Sequence, residues 1–354
     1  MSSDRTALRS WLTAMPKAEL HLHLDGSLRP ATALALAQTR QHGISDMPSD
    51  LAGMRARLVA PERCLDQAHL LRAFDLPIAL LQDEEALERS AAELVEDVAA
   101  EGTVYAEIRW APSLHLAHGL PLHAGIAAVV RGSRRAARAV GIEVRLIAVA
   151  LRTHSPEMAT AMTRVALDFV ADGLTGFDIA GIERDAPDPS VFDEAIGIAR
   201  SGGLGISCHA GEWGGPAQVW RALRIDPWRI AHGAVAADDP ALMATLAERG
   251  VTLDICPSSN LQAGIGSRGH DAPLPRLLRA GVPVTVSTDD RTVSDLTLVR
   301  ELAGTVEDLG LTPTEVVGAM RQAYAAAFLQ HDEALRAELQ RRFEAWLAGT
   351  PRPR

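Results

Sequence analysis

Cysteine is sparse in this 354-residue chain: Cys64, Cys208 and Cys256 stand far apart, with no CxxC spacing. That pattern excludes a disulfide scaffold and a cysteine-rich zinc module, and it suits a reducing cytoplasm. Aromatic residues make up only 4%, so Ala, Leu and Val must fill the core. Basic residues are outnumbered, with 35 Lys plus Arg against 45 Asp plus Glu and a formal net charge of −10. This balance argues against a nucleic-acid partner, whose phosphates are gripped by excess Lys and Arg. The run RGSRR at 131–135 reads instead as a solvated helix face. No stretch of about 18 uncharged apolar residues is present, which excludes a membrane-spanning helix. The N-terminal segment carries Asp4, Arg5, Arg9, Lys17 and Glu19 and has no signal-peptide core. No internal repeat or low-complexity tract interrupts the chain. Hydrophobic residues at 47% and charged residues at 23% fit a folded protein. The expectation is a soluble cytoplasmic protein without membrane contact.

What is present alternates between two kinds of segment. Short, mostly apolar or β-branched runs at 18–24, 104–111, 144–150, 174–180, 205–208, 229–232, 251–256 and 282–287 read as strands. Ala-, Leu- and Arg-rich stretches with helical spacing lie between them, at 84–100, 124–140, 190–201, 216–224 and 241–250. Eight strands separated by helices predict a closed parallel (β/α)8 TIM barrel, an α/β fold, as one domain over 1–354. The connection from about Pro30 to Gly102 is too long for a plain crossover. Its segment Cys64–Leu81 reads as one apolar helix. Leu70, Leu71 and Phe74 either cover the barrel mouth as a lid or pack on the outer wall. Segments 296–309, 313–328 and 332–347 read as closing helices, and the tail PRPR as frayed.

Polar residues cluster at the C-terminal ends of the strand runs: His21, His23 and Asp25; Glu107, Arg109 and Trp110; Asp178 and Gly181; His209 and Glu212; His232; Asp289 and Asp290. A barrel's C-terminal rim carries its site, so these groups are expected to converge on one pocket. His21 and His23 lie two apart on a strand, which puts both imidazoles on one side. With His209 and Asp289 they supply three nitrogens and a carboxylate oxygen, a donor set that suits zinc with room for a water. Zinc lowers the pKa of such a water to about 7. Glu212, three residues past His209 across Gly211, is placed to move a proton. His232 either stabilises the attacking water or is a hydrogen-bonded core histidine. Asp290 reaches a substrate only if the backbone turns after Asp289.

The strings PKAELHLHLDGSLRP (16–30), VYAEIRWAP (104–112), GFDIAG (176–181), CHAGEWGG (208–215), RIAHG (229–233), CPSSN (256–260) and STDD (287–290) occur in the order seen in one known family. The chain resembles the adenosine deaminase family of the metal-dependent amidohydrolases from about residue 16 to 328. The resemblance implies one zinc per chain, held by His21, His23, His209 and Asp289, and hydrolysis of the 6-amino group of adenosine and 2′-deoxyadenosine. It implies that Glu212 is the proton shuttle to purine N1 and that His232 orients the attacking water. It also implies that Asp290 contacts N7 and the Gly181 backbone contacts N3. Asp25 would meet the ribose 5′-hydroxyl, leaving room for a sugar where glutamate would fill the space; its alternative is a helix cap. The expected partner is a small purine nucleoside, bound by these residues with His23, Leu70 and Phe74.

Three positions depart from the family pattern. Asp289-Asp290 is followed by Arg291 where proline is usual, Ile182 replaces an acid after Gly181, and Trp213 follows Glu212. Arg291 is expected to pair with a surface carboxylate rather than reach the substrate. Alternatives are the same chemistry on another aminopurine (aminodeoxyfutalosine, a thio-nucleoside or adenine), or a non-catalytic purine-binding paralogue. A two-metal phosphotriesterase-like site is disfavoured, because the central strand ends at Ala150 and Gly181 carry no bridging lysine.

Overall fold

The computed structural model describes residues 2–39 and 44–353. Eight strands form the sheet in sequence order: β1 (Lys17–His23), β2 (Thr103–Trp110), β3 (Glu143–Leu151), β4 (Leu174–Ala180), β5 (Gly205–Ala210), β6 (Arg229–His232), β7 (Thr252–Ile255) and β8 (Val284–Val286). Each pairs in parallel with the next. The ring closes just beyond β8, where Leu22 bridges Asp289. There Asp289 N–H donates to His21 O (3.0 Å) and His23 N–H to Asp289 O (2.7 Å). This is the expected (β/α)8 barrel.

Helices surround it. The first is α1 (Ser2–Ala14), and the long connection holds α2 (Pro30–Thr39), α3 (Leu51–Leu58), α4 (Gln67–Leu71), α5 (Asp75–Leu80) and α6 (Glu84–Ala100). The crossovers carry α7 (Leu122–Val140), α8 (Pro156–Ala166), α9 (Asp193–Ser201), α10 (Pro216–Ala222), α11 (Pro240–Arg249), α12 (Pro257–Gln262) and α13 (Pro273–Arg279). The chain ends in α14 (Leu298–Glu307), α15 (Pro313–Ala326) and α16 (Glu333–Gly349). Local chemistry sets their bounds. Asp83 caps α6 by accepting from Ala86 N–H, Gly141 ends α7 in the left-handed region, and Thr312 with Glu315 forms a capping box on α15.

The segment expected as one helix over 64–81 is two short helices, with a break at 72–74. Pro77 explains it: a continuous helix would need an N–H there to reach the carbonyl of Ala73. The arginines of RGSRR are exposed and ion-paired, Arg131 and Arg135 to Glu88 and Arg134 to Asp172. The tail is tethered, not frayed, at Arg352, which donates to Thr314 Oγ1 (3.2 Å), while Arg354 lies outside the described residues. No helix among the described residues is long and apolar enough to cross a membrane.

Strand alternation divides the barrel into two environments. On β1, Ala18, Leu20 and Leu22 join the apolar layer between sheet and helices, whereas Lys17, Glu19, His21 and His23 take the other face. Each fully buried Leu, Ile or Val of that outer layer contributes about 1.5–3 kcal/mol. The inner face is polar and stacked in levels. Arg229 Nε lies 3.0 Å from Asp254 and its Nη2 meets Glu107; Arg109 lies 2.9 Å from Asp178 and 3.6 Å from Asp254. All five side chains are fully buried. Glu107, Arg109 and Trp110, expected at the rim, therefore do not reach a pocket. The two charged groups are consumed in pairs below it, and Trp110 is fully buried away from it.

Candidate active site

The residues above that network line a cavity of about 270 Å³ at the C-terminal rim. Three imidazole nitrogens meet at its floor. His23 Nε2 lies 3.2 Å from both His21 Nε2 and His209 Nε2. Asp289 Oδ1 stands 3.0 Å from His21 Nε2 and 3.3 Å from His23 Nε2. Burial pushes the His21 and His23 imidazoles down, His23 to about 3, so both rings are neutral and present lone pairs. His209 Nδ1 lies 2.8 Å from Asp178 Oδ2, which keeps its proton on Nδ1 and turns the Nε2 lone pair inward. Lone pairs this close with no proton between them fit a cation. Ligand-type atoms of His21, His209, His232 and Asp289 also lie within 4.8 Å of one another.

His232 differs in kind. Strict alternation from Arg229 would turn it outward, but its backbone is left-handed (φ 65°) and brings the ring to the axis. Asn260 Nδ2 donates to its Nδ1 (3.2 Å), leaving the proton of the neutral ring on Nε2. That Nε2 faces Glu212 Oε1 at 3.9 Å and Asp289 Oδ2 at 3.8 Å. It can donate to an oxygen between them.

Asp289 is likewise left-handed (φ 63°), and this turn brings Asp290 into the cavity as well. A Cβ on Gly26 would stand 1.8 Å from Asp290 Oδ1, so only glycine fits beside that carboxyl. Burial, with Asp289, Asp25 and Glu212 nearby, raises Asp290 well above the usual carboxylate range. Its Oδ1 is buried without a hydrogen-bond partner among the described residues. Burial and the charge of Asp289 raise Glu212 to about 8, and burial raises Asp25 to about 6. Asp25 is no N-cap; its carboxylate accepts from Gly26 N–H (3.3 Å) and lines the cavity. Asp289 behaves oppositely: burial favours its acid form, but the facing His21 and His232 hold it well below the usual range.

Leu70 and Leu71 of α4, Phe74 in the break and Ile78 of α5 form the apolar wall opposite, with Gly181 and the half-exposed Ile182 at the end of β4. Trp213 and Phe74 both pack against a small apolar cluster that includes Leu70 and Val293, and Trp213 does not line the cavity. Arg291 lies outside the cavity; it pairs with the partly exposed carboxylate of Glu101, and it also stands 3.9 Å from Glu19, which is fully buried. Among the described residues, no Lys or Arg lines the cavity. A larger cavity of about 690 Å³ opens elsewhere beside Arg134, Arg145 and Asp332, whose charges pair with one another or with Glu143 and Asp172.

The adenosine deaminase family model matches residues 16–343. The chain belongs to the adenosine deaminase family. The adenosine deaminase of Enterococcus faecalis is 34% identical over 319 residues, 90% of this chain and 94% of that protein. An amidohydrolase from Burkholderia ambifaria, solved with bound Zn, shares 28% identity and a TM-score of 0.82, covering 96% of this chain and 94% of its own. Arabidopsis ADAL complexed with IMP shares 27% identity and a TM-score of 0.82, covering 95% and 98%. Three family-site neighbours went without a role in the sequence: Asp178 behind His209, Asn260 behind His232, and Glu183. The first two sit inside the strings GFDIAG and CPSSN, which was the available signal.

Proposed function

We propose that this protein hydrolyses the 6-amino group of adenosine and 2′-deoxyadenosine, giving inosine or deoxyinosine and ammonia, with one zinc ion per chain. The observation that carries this reading is the meeting of three imidazole nitrogens and Asp289 beside a buried Glu212 that holds a proton near neutral pH. His21, His23, His209 and Asp289 would hold the ion. His23 is preferred to His232 because the proton on His232 Nε2 blocks that nitrogen as a ligand. When bound, zinc supplies an activated water at neutral pH. The Zn-bound relative from Burkholderia ambifaria supports the choice of metal.

The chain's own groups divide the remaining work. Glu212 donates its proton to ring N1, which draws electron density from C6 and opens it to attack. His232 Nε2–H stabilises charge developing on the attacking oxygen. Asp290, held as the neutral acid, donates to N7, an acceptor that an ionised carboxylate would repel. The Gly181 backbone meets N3, and Asp25 accepts from the ribose 5′-hydroxyl. Leu70 and Phe74 cover the purine and exclude water. Acidic groups and, among the described residues, no Lys or Arg at the wall favour a neutral nucleoside over a phosphorylated one. Three buried, unpaired cysteines support a reducing, cytoplasmic setting.

The test is turnover of adenosine, 2′-deoxyadenosine, adenine and AMP by zinc-loaded protein, followed by loss of the adenine-ring absorbance. Both nucleosides should react well and AMP poorly. Inert nucleosides alongside a reactive adenine or AMP would overturn the substrate assignment.

A further inference from the structure

We propose that Glu183 is a positioning residue for Glu212, fixing the loop that carries it and joining that loop to the lid. Glu183 follows β4, is only 2% exposed, and does not line the cavity. Its carboxylate accepts four successive backbone N–H groups of the loop after β5. Gly211 donates to Oε1, and Glu212 (2.9 Å), Trp213 (2.5 Å) and Gly214 (2.8 Å) donate to Oε2. The loop curls around this one side chain as a helix N-terminus curls around an anion. Gly211 permits the curl: its φ is +78°, and a Cβ there would come within 2.6 Å of Val235 and 2.7 Å of Val219. Without the carboxylate, these inward-facing N–H groups lose their acceptor, and a buried donor left unpaired is unfavourable. The loop's way out is to rotate them toward water, and Glu212 moves with it.

The backbone of Glu183 is tied as firmly. Its N–H donates to Gln67 Oε1 (2.8 Å) on α4, while Gln67 Nε2 donates to Gly181 O (3.3 Å). Gln218 Nε2 of α10 donates to Glu183 O (3.3 Å). One residue thus links the lid helix, the end of β4 and the Glu212 loop. The α4 wall and the loop that carries the proton donor are held by one residue that does not line the cavity.

This role rests on the deaminase reading of Glu212, so two readouts are needed. In the first, zinc-loaded wild type, Glu183→Ala and Glu183→Gln are compared by adenosine kinetics, metal content and thermal melting. Glu183→Ala should lower kcat about 100-fold, the cost of a misplaced catalytic group, while KM changes less than about threefold and metal content holds. Glu183→Gln, which keeps one acceptor oxygen, should recover about tenfold of that loss. Wild-type kcat in folded Glu183→Ala would overturn the proposal, as would a fall in kcat that merely follows lost metal. If the alanine variant fails to fold, a folded Glu183→Gln with unaltered kcat overturns it equally. The second readout is amide hydrogen exchange at 211–214. These amides should be protected in wild type and exchange faster in Glu183→Gln, with the strands unchanged. If wild type turns over no adenosine, the substrate reading fails while the exchange still judges the positioning; unprotected amides in wild type would overturn it.

Discussion

The two levels of the barrel interior treat buried charge in opposite ways. In the lower level, Glu107, Arg229, Asp254, Arg109 and Asp178 are all paired within hydrogen-bond or ion-pair distance. Burial alone would raise Asp178, but the facing His209 and Arg109 keep it ionised well below the usual range. In the upper level, Asp25, Glu212, Asp289 and Asp290 share the cavity with imidazoles and, among the described residues, no Lys or Arg. There burial wins, and three of the four carboxyls move up. The residue types are alike; what differs is whether a cation faces them. A carboxylate with an arginine is architecture, whereas a carboxyl without one holds a proton to give or awaits a metal.

The sharpest way to break this contrast is at Glu212. Glu212→Gln should lower kcat about 10³-fold with metal content retained, because the proton is lost but the ligands are not. The same group sets the alkaline limb in wild type. A rate that needs the protonated form falls as pH rises through the Glu212 value of about 8. A bound dication favours the carboxylate, so the limb of the loaded enzyme lies at or below that pH. Steady-state kinetics across pH checks both. At the lower level, Arg229→Met leaves the buried Glu107 without its cation and Asp254 with Arg109 at 3.6 Å, and should cost about 3–5 kcal/mol in chemical denaturation. Asp178→Asn cuts the link between levels. It frees the His209 ring to choose the wrong tautomer, and should weaken metal affinity about 10–100-fold in a chelator competition with the fold intact. The smallest effect is expected at the apolar wall, where Phe74→Ala should raise KM about tenfold with little change in kcat, since it removes contacts made equally before and during reaction.

The barrel and the pairing of His21 with His23 on one face were legible because both follow from strand periodicity. KAELHLH alternates without a break, so His21 and His23 had to share a face, and the order of the strands closed the ring. What alternation could not reveal lies where the backbone leaves it. The left-handed turns at His232 and Asp289 decide which way His232 and Asp290 point, and no spacing rule reports them. Long-range pairing was equally hidden. Glu107 and Arg109 looked like rim residues until Arg229, more than a hundred positions away, was seen to claim Glu107. Arg291 finds Glu101 across a similar gap. The helix expected over 64–81 failed for a local reason present in the sequence, Pro77, whose missing donor outweighs the apolar pattern around it.

Lys17 is the chain's one lysine, and it sits at the start of β1, the end of the barrel away from the cavity. Its amine is fully buried and donates to the carbonyls of Leu12 (2.7 Å), Thr13 (3.2 Å) and Met15 (2.7 Å), closing the C-terminal end of α1. Burial lowers its pKa to about 8, which would make it a keen nucleophile if anything could reach it. Acylating reagents should therefore spare this side chain in the native protein and modify it only when α1 peels from the barrel. A single mass increment on the peptide containing residue 17 would then time the opening of that end of the molecule, independently of any event at the rim.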